Sequence, residues 1–409
     1  MYFLFPKQGM KHCSIDTMTR KIAILTQPLH SNYGGILQCF ALQTVLERMG
    51  CEVTVLNRRW VAPKLTFLLF VLRCVSMLKC VFRRHVLGRK EWYVQKPWAE
   101  IYIPYRAQEG LWGNPRFLQA FVREHIHQTK PLYSSRELGQ AAEEGQFDSF
   151  VVGSDQVWRE QYAPEITDYF LGFLPESDRH PKVAYAASFG LERVGISDEK
   201  LERCRQLAQR FTAVSVREQS AVRLAKEALA IDARWVLDPT LLLPAEDYQF
   251  AGRSKGKNWA GVATYILDGN EAKSQVVSDV SKTFFLPAKA INFSPLAEDG
   301  QQDDMLPVEE WLRAFAQADF VVTDSFHGCV FSIIHRKPFI AIANGERGID
   351  RFTSLLGYFG LQDRLVFSME NYRQKRSALL APIDFAPVAE KLAKAQESSL
   401  AFLKEALSL

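Results

Sequence analysis

The sequence predicts an α/β protein made of two successive halves, each with a parallel β-sheet and with a ligand cleft between them. Three observations predict this class. Short apolar runs that suit buried strands alternate with longer amphipathic segments that suit helices. A connector bracketed by prolines, DPTLLLPAE at 238–246, separates two sets of this alternation. The chain of 409 residues is long enough for two domains of about 150–200 residues, each with its own core.

The first half opens with a strand–helix–strand pattern. The apolar run KIAILTQ (21–27) predicts a buried parallel strand. Apolar residues at three- and four-residue spacing in ILQCFALQTVLERM (36–49) predict a helix that ends at Gly50. A second strand is predicted over CEVTVLN (51–57). An irregular stretch that ends near residue 146 follows, and within it the same criteria predict helices at 117–125 and 135–144. Beyond it they predict strands at 147–153, 182–188 and 213–218 and helices at 198–211 and 219–230.

The second half repeats the alternation, and the chain then ends in an amphipathic segment at 388–407. We expect that segment to be a helix that folds back across the interface between the halves. The other predicted elements are strands at 261–267, 288–292, 319–325 and 338–343 and helices at 271–284, 308–318 and 328–336. We expect an extension at 1–20, an N-terminal domain at 21–240, a C-terminal domain at 241–385 and a terminal helix at 386–409. A ligand is expected at the carboxyl ends of the strands.

Composition excludes several classes of protein. With 47% hydrophobic and 23% charged residues, the chain is neither disordered nor collagen-like, and it is too long for a small disulfide scaffold. A net charge of only +4 gives no case for nucleic-acid binding. The seven cysteines form no CxxC pattern, which favours a reducing cytoplasm and no metal site. Residues 1–17 lack the features of a signal peptide, and we interpret them as a frayed extension or an over-called start.

The charge is unevenly distributed along the chain. Residues 53–90 contain nine Lys and Arg and no Asp or Glu, which leaves the rest of the chain at −5. The apolar, basic part of this segment, 58–90, suits a helix lying on a membrane surface with its bases toward anionic head groups. It equally suits a buried inter-domain segment whose bases extend to water. Its longest uncharged apolar run is far shorter than the ~20 residues of a membrane span.

The strongest candidate site lies in AQADFVVTDSFHGCVFSIIHR (316–336). A buried strand ends at Thr323-Asp324-Ser325, and a helix follows at once, so His327 is expected beside a helix N-terminus. Free backbone N–H groups there favour an anion, above all a phosphate, and an imidazole can transfer a proton near neutral pH. The alternative is that Asp324 or Ser325 only caps the helix and that His327 is a packed turn residue.

Arginines supply the candidate positive charge. Arg217 follows the strand in AVSVREQSA, where its planar guanidinium suits a carboxylate or a phosphate. The alternative is a surface residue paired with Glu218 or with a helix-terminus carbonyl. Arg347 and Arg351 follow the last predicted strand and are further candidates for charge in the cleft, although Arg351 is expected on a helix surface.

A third candidate is VVGSDQVWR (151–159). Gly153 allows close backbone approach after a strand, and Ser154 or Asp155 suits the cap of a following helix. Alternatively, Asp155 contacts a sugar hydroxyl and Trp158 stacks on a sugar face.

The first strand–helix loop, HSNYGGILQ (30–38), is the fourth candidate. Asn32, Tyr33 and Gly34 suit contacts with a ligand, or the loop is a glycine turn capped by Ser31 or Asn32. The loop is not GxGxxG, and the chain has no GxxxxGK[ST], GxSxG or HExxH. We therefore expect no dinucleotide fingerprint, no P-loop hydrolysis, no serine-hydrolase chemistry and no zinc site.

Taken together, these motifs resemble the polysaccharide pyruvyl transferase family. The resemblance covers about residues 21–366 and rests on SNYGGILQCFALQTVL, FVVGSDQVW, YAASFG, SVRE, LDPTLLL and EEWLRAFAQADFVVTDSFHGCVFSIIHRKPFIAI. It implies two Rossmann-like domains in a GT-B-like arrangement. It also implies transfer of a pyruvyl group from phosphoenolpyruvate to a sugar of a cell-surface polysaccharide or its lipid-linked precursor, giving a pyruvate ketal, with no metal or organic cofactor.

The resemblance also assigns residues. The family's strand-to-helix histidine falls on His327 and its mid-chain arginine on Arg217. Some members carry an arginine where this chain has Ser325, and we expect Arg347 to supply the missing charge. The expected donor side comprises Asp324, Ser325, Phe326, Gly328 and Arg347, and the expected acceptor side comprises Asn32, Tyr33, Gly34, Gly153, Ser154, Asp155 and Trp158. The competing functions are a glycosyltransferase of the same architecture that uses a nucleotide sugar, and a non-catalytic glycan-assembly protein.

Overall fold

The computed structural model describes residues 19–60, 74, 75, 78, 116–250, 258–291, 305–344 and 348–409. The strands in these residues are β1 Lys21–Leu25, β2 Glu52–Val55, β3 Ser149–Asp155, β4 Lys182–Ala187, β5 Ala213–Val216, β6 Arg234–Trp235, β7 Val262–Tyr265, β8 Ala288–Ala290, β9 Phe320–Thr323, β10 Phe339–Ile342 and β11 Leu365–Val366. They form two sheets, in the orders β2-β1-β3-β4-β5-β6 and β11-β10-β9-β7-β8. Every pairing between these strands is parallel, so the predicted α/β class with two parallel-sheet halves is confirmed.

Helices follow most strands, as expected where parallel strands need crossover connections. Their bounds are α1 Tyr33–Arg48, α2 Arg116–His125, α3 Ser135–Gly145, α4 Asp198–Ala208, α5 Gln219–Leu229, α6 Glu271–Phe284, α7 Val308–Gln317, α8 Phe326–Ile334, α9 Asp350–Phe359, α10 Met369–Leu380 and α11 Ala386–Leu407. Strands β3 and β4 are buried along their whole length, which fits the apolar FVV and VAYAA at their centres.

Side chains of the first strand–helix connection join the two halves. Tyr33, at the start of α1, donates its hydroxyl to the carbonyl of Leu306 at 2.8 Å. Its ring stacks on Trp311 of α7, with the ring centroids 5.0 Å apart. One apolar core therefore runs from α1 of the first half into α7 of the second.

The tail helix α11 packs against the first half as well as against α9. Ser399 accepts a hydrogen bond at its Oγ from the backbone N–H of Leu237 at 3.1 Å, and Gln396 donates to the carbonyl of Leu241. The expected return of the tail across the interface is therefore present in the structure.

Some elements differ from the predictions. The two-residue strands β6 and β11 and the helix α10 were not predicted from the sequence, and α9 was expected only as a helix carrying Arg351, without bounds. Helix α8 begins at Phe326, two residues earlier than expected, so His327 lies in its first turn.

Some predicted regions lie largely outside the described residues. This holds for the extension at 1–20, except 19 and 20, and for the basic segment at 58–90, except 58–60, 74, 75 and 78. Among the described residues, no helix is long and apolar enough to span a membrane.

Candidate active site

The start of α8 combines backbone N–H groups with a buried histidine. Ser325 is the N-cap residue, but its side chain makes no capping hydrogen bond to the first turn. The first N–H groups of a helix have no partner within the helix, so an anion can be bound there. His327, the second residue of α8, is buried beside these groups.

His327 is held between the two halves. Its Nε2 lies 3.8 Å from Oδ2 of Asp238 and has no hydrogen-bond partner among the described residues. On its other side is Gly34 of α1, where an added Cβ would lie only 1.9 Å from Nδ1 of His327. Burial lowers the pKa of His327, and Asp238 opposes that shift without cancelling it. The imidazole is therefore neutral at pH 7, with Nε2 available for a proton.

Arg217 stands at the end of β5 with a side chain that is 0% exposed. Its Nη1 donates to Asp238 at 2.8 Å and its Nη2 donates to Asp155 at 2.6 Å. The guanidinium also lies over the ring of Phe326, 4.8 Å from the ring centroid. Burial disfavours the charge, but the neighbouring carboxylates outweigh it and raise the pKa of Arg217. Arg217 is thus a fixed cation whose two terminal nitrogens are occupied by carboxylates.

Asp238 is the residue that sequence reasoning missed. It follows the short strand β6 and joins Arg217 to His327 through its Oδ2. Its Oδ1 accepts hydrogen bonds from the N–H of Thr240 at 3.1 Å and from the Thr240 hydroxyl at 2.6 Å. The available signal was its place in LDPTLLL, an aspartate directly before a Pro-led turn.

Asp155 and Glu218 complete the negative charge around Arg217. Burial raises the pKa of Asp155, but the nearby positive charges, that of Arg217 first, together outweigh it and the net shift is downward. For Glu218, burial dominates and the pKa rises. Oε1 of Glu218 accepts from the Ser188 hydroxyl at 2.7 Å, whereas Oε2 has no hydrogen-bond partner among the described residues. The Arg217 cluster, as we name it, comprises Arg217, Asp155, Asp238, Glu218 and His327.

Arg351 was expected on a helix surface, and that expectation is wrong. It is the second residue of α9 and is only 6% exposed, because α9 packs against the first half. The centre of its guanidinium lies 5.7 Å from the centroid of the Phe326 ring. Burial, followed by the charge of Arg217, lowers the pKa of Arg351 to about 10, so it is still a cation at pH 7.

Asp324 was expected to contact the donor, but its carboxylate is fully engaged inside the second half. Oδ1 accepts from the N–H of Leu267 at 2.6 Å. Oδ2 accepts from the N–H of Asp268 at 3.1 Å and from Nζ of Lys273 at 2.7 Å. These bonds tie the loop after β7 to the end of β9, which makes Asp324 a structural residue in this arrangement. We name Asp324, Lys273 and these two N–H groups the Asp324 cluster.

Gly328 and Gly153 serve close backbone packing. A Cβ on Gly328 would lie 2.1 Å from Oγ1 of Thr323, so glycine lets α8 approach the end of β9. Gly153 has a φ of 127° and a Cβ there would lie 2.1 Å from the carbonyl oxygen of Tyr185. Both positions therefore shape the site without presenting a side chain to a ligand.

Trp158 and Ser154 do not face a ligand in this structure. Trp158 is fully buried, stacked on Phe170 with the ring centroids 5.3 Å apart. The expected stacking of its indole on a sugar is not available from that position. Ser154 is also buried. Its N–H donates to Gln38 and its hydroxyl donates to the carbonyl of Ala186, and no α-helix follows for it to cap.

Of the remaining expected acceptor residues, Asn32 is exposed and caps α1 by accepting from the N–H of Gly35 at 3.2 Å. Tyr33 is buried in the contact with Trp311, and Gly34 packs on His327. The expected charge at Arg347 lies outside the described residues. Among the described residues, no group of His, Cys, Asp and Glu is arranged to bind a metal.

Comparisons with known proteins agree with this architecture. The family model for polysaccharide pyruvyl transferase matches residues 32–346. A search of curated proteins found no match. Among solved structures, Staphylococcus aureus MnaA with UDP is similar at 12% identity and a TM-score of 0.50, covering 96% of this chain and 98% of that one. This similarity shows a two-domain, GT-B-like fold.

A second solved structure, a Thermobaculum terrenum O-GlcNAc transferase mutant, has 12% identity and a TM-score of 0.48. The match covers 95% of this chain and 66% of that one, so this chain spans less than two thirds of that protein.

Proposed function

The chain belongs to the polysaccharide pyruvyl transferase family, and we propose that it transfers a pyruvyl group from phosphoenolpyruvate to a sugar, forming a pyruvate ketal. The acceptor in this proposal is a cell-surface polysaccharide or its lipid-linked precursor. One observation carries the proposal: a buried histidine with an unpartnered Nε2, 3.8 Å from a buried carboxylate, stands in the first turn of a helix whose N-cap side chain makes no capping bond. That arrangement suits proton transfer next to a bound phosphate.

The charges of the site suit the donor. Phosphoenolpyruvate carries a phosphate and a carboxylate, so its binding site needs N–H donors and cations. The first turn of α8 supplies N–H groups, and Arg217 supplies a fixed positive charge beside Phe326. Asp155 and Asp238 already occupy the terminal nitrogens of Arg217. We therefore propose that Arg217 contributes to the electrostatic potential of the site and positions Asp238.

His327 is the proposed proton carrier. A bound phosphate raises the proton affinity of the neutral imidazole, and Asp238 stabilises the imidazolium that results. The imidazolium gives its proton to C3 of phosphoenolpyruvate, which turns the methylene into a methyl group and leaves C2 electron-deficient. The neutral imidazole then accepts the proton of the sugar hydroxyl that attacks C2, and this restores the imidazolium.

The remaining bonds balance without a cofactor. The bond between C2 and the phosphate oxygen breaks, and inorganic phosphate leaves. A second hydroxyl of the same sugar attacks C2 and closes the ketal, and its proton leaves with the phosphate. Each turnover therefore consumes one phosphoenolpyruvate and two hydroxyl groups and releases one phosphate. Asn32, exposed at the start of α1, is the acceptor-side residue that we assign to the sugar.

The acceptor's location bears on the basic segment. If the sugar is carried on a membrane lipid, we expect the enzyme in the cytoplasm at the inner face of the membrane, with residues 58–90 contacting anionic head groups. Deletion of residues 61–85 should then abolish binding to anionic vesicles at low salt. Vesicle binding that survives the deletion would contradict this contact.

The test of the reaction compares donors with one protein preparation. Phosphoenolpyruvate and galactose- or mannose-type glycans are incubated with the full chain, and phosphate release and the ketal methyl signal are followed together by NMR. We expect one ketal for each phosphate released. Protection or turnover with a UDP-sugar and none with phosphoenolpyruvate would instead favour a nucleotide-sugar glycosyltransferase. Tight glycan binding without turnover of either donor would favour a non-catalytic glycan-assembly protein.

A further inference from the structure

Arg351 is a buried cation at the contact between the halves, and the reaction outlined above does not use it. It belongs to α9 of the second half, and its side chain is buried near charged residues of the first half. The charges that act on its pKa include those of Arg217, Asp155 and Glu218. Repulsion from Arg217 disfavours this second guanidinium, and the carboxylates of Asp155 and Glu218 offset part of that repulsion.

The first turn of α9 is fixed in place on both sides of Arg351. The hydroxyl of Ser220 donates to the carboxylate of Asp350, the residue before Arg351. Three residues after Arg351, Oγ of Ser354 accepts from the N–H of Gln219 at 3.1 Å. The helical turn that carries Arg351 is therefore held by residues of α5, which follow Arg217 and Glu218 directly in the chain.

The approach to α9 is also tightly packed. Gly348 has a φ of 82°, and a Cβ there would lie 2.0 Å from the carbonyl oxygen of Gly190. This contact brings the residues before α9 against the loop that follows β4, at the carboxyl end of the first sheet. Arg351 therefore lies at a closely packed contact between the two halves, and such packing helps to position its charge.

Arg351 also lies near the proposed phosphate position. Its guanidinium centre is 5.7 Å from the ring centroid of Phe326, the first residue of α8. Its charge acts on His327 as well, because it contributes to the lowered pKa of that residue. A phosphate at the start of α8 would therefore have the N–H groups of α8 on one side and the Phe326–Arg351 contact on another.

We propose that Arg351 is a donor-binding residue whose guanidinium contacts the phosphate of phosphoenolpyruvate at the start of α8. This rests on the proposed function. An arginine suits the position because its planar N–H groups match two phosphate oxygens. The structural alternative is that Arg351 only fills and stabilises the contact between the halves.

The test measures binding directly, by titration calorimetry on the full chain, with phosphoenolpyruvate, inorganic phosphate and pyruvate as probes. The variants are Arg351→Met, which removes the charge and keeps the length, and Arg351→Lys, which keeps the charge. Arg364→Met is the matched control, because Arg364 is another buried arginine of the second half whose guanidinium donates to the carbonyls of Leu379 and Ala381. Thermal unfolding of every variant is recorded in parallel.

For Arg351→Met we expect affinities for phosphoenolpyruvate and inorganic phosphate to fall by about tenfold or more, the usual effect of losing a charge-assisted hydrogen bond. Arg351→Lys should recover part of that loss, and pyruvate affinity should change little. Arg364→Met should lower the melting temperature without changing any affinity by more than about twofold.

The two proposals fail in different ways. Arg351→Met protein that keeps both phosphate affinities and only melts earlier would overturn the binding role of Arg351, whatever the activity. Wild-type protein that binds inorganic phosphate through Arg351 but forms no ketal from phosphoenolpyruvate would contradict the proposed reaction and leave the phosphate site standing.

Discussion

Two buried ionic clusters lie at strand ends of this molecule, and they differ in how completely their polar atoms are paired. In the Asp324 cluster, both oxygens of Asp324 accept hydrogen bonds, and the bonds stay within the second half. In the Arg217 cluster, His327 is contributed by the second half and the carboxylates by the first. Three buried atoms of its members have no hydrogen-bond partner among the described residues: Nε2 of His327, Nε of Arg217 and Oε2 of Glu218. The last two lie 3.8 Å apart as an ion pair, so Nε2 of His327 is the atom left for a ligand or a proton.

The difference in hydrogen bonding suggests a structural role for the Asp324 cluster and a chemical role for the Arg217 cluster. A buried charge whose hydrogen bonds are complete has nothing left to offer a ligand, and it serves to fix the backbone. A buried group with an unused donor or acceptor costs stability, and in a charged site between two halves it is a candidate to bind a ligand or a proton. On this basis Asp324 holds a loop, although it lies only three residues before His327.

The largest expected effect comes from Asp238→Asn in the Arg217 cluster. The substitution removes the charge that stabilises the His327 imidazolium, so kcat for ketal formation should fall by about 10³-fold. The charge of Asp238 raises the pKa of His327, so the substitution should lower that pKa further. Activity that depends on the imidazolium should then decline at a lower pH than in the wild-type enzyme. The measurement is kcat against pH.

A control for Asp238→Asn is Asp279→Asn, which breaks the half-exposed pair with Arg376 and should leave kcat unchanged. If kcat of Asp238→Asn is lower at every pH but declines at the same pH as in the wild-type enzyme, the proposed coupling between Asp238 and His327 is contradicted.

The second prediction concerns the Asp324 cluster. Asp324→Asn leaves the buried ammonium of Lys273 without its counter-charge, so the unfolding free energy should drop by about 3 kcal/mol. Urea unfolding measures this loss, and kcat and KM of the folded protein should stay near the wild-type values. An Asp324→Asn variant with normal stability and a low kcat would indicate that Asp324 takes part in the reaction. It would contradict the proposed difference between the two clusters.

The third prediction uses the two neighbouring glycines of α1. Gly34→Ala places a Cβ 1.9 Å from Nδ1 of His327 and must displace the imidazole, whereas Gly35→Ala places one 3.4 Å from Nδ2 of Asn32. We expect kcat to fall about 10²-fold for Gly34→Ala, the effect of misplacing a catalytic group by about 1 Å. Steady-state kinetics of both variants should show near-normal activity for Gly35→Ala, and equal losses would remove the evidence for contact with His327.

Much of the fold was predictable because continuous apolar strands and amphipathic helices leave clear patterns. The strands β6 and β11 have two residues each and are too short to show any periodicity. Because β6 was not predicted, Asp238 could not be recognised as a residue that follows a strand. Arg217 and His327 were recognised because each follows a predicted strand.

The remaining errors at the site have a common physical origin. Arg351 was expected at the surface because arginine usually is, but α9 packs against the first half and its sequence does not reveal that contact. Trp158 was expected at a sugar, and it packs on Phe170 in the core. In both cases a residue's type was known while its tertiary neighbours were not, and the neighbours decide whether a side chain is available to a ligand.

The smallest predicted effect is on the dependence of stability on pH, and it concerns His335, a half-buried histidine at the end of α8. Burial lowers the pKa of His335 from 6.5 to about 4, so the unfolded state binds a proton more readily. The resulting stability is present above pH 6.5 and is lost as pH falls toward 4, by on the order of 1–2 kcal/mol. Urea unfolding from pH 7 to 4.5 should show a shallower loss for His335→Gln, and an unchanged slope would contradict this.

The central claim is that His327 carries the proton of pyruvyl transfer, and single-turnover phosphate release from phosphoenolpyruvate in the presence of acceptor tests it most directly. The variants to compare are His327→Gln and His335→Gln. These histidines lie near opposite ends of α8, the first buried and the second half-buried, and only the first lies near Asp238. We predict that His327→Gln folds normally and releases phosphate at least about 10²-fold more slowly, while His335→Gln keeps the wild-type rate. Folded His327→Gln protein that releases phosphate and forms ketal at the wild-type rate would contradict the account.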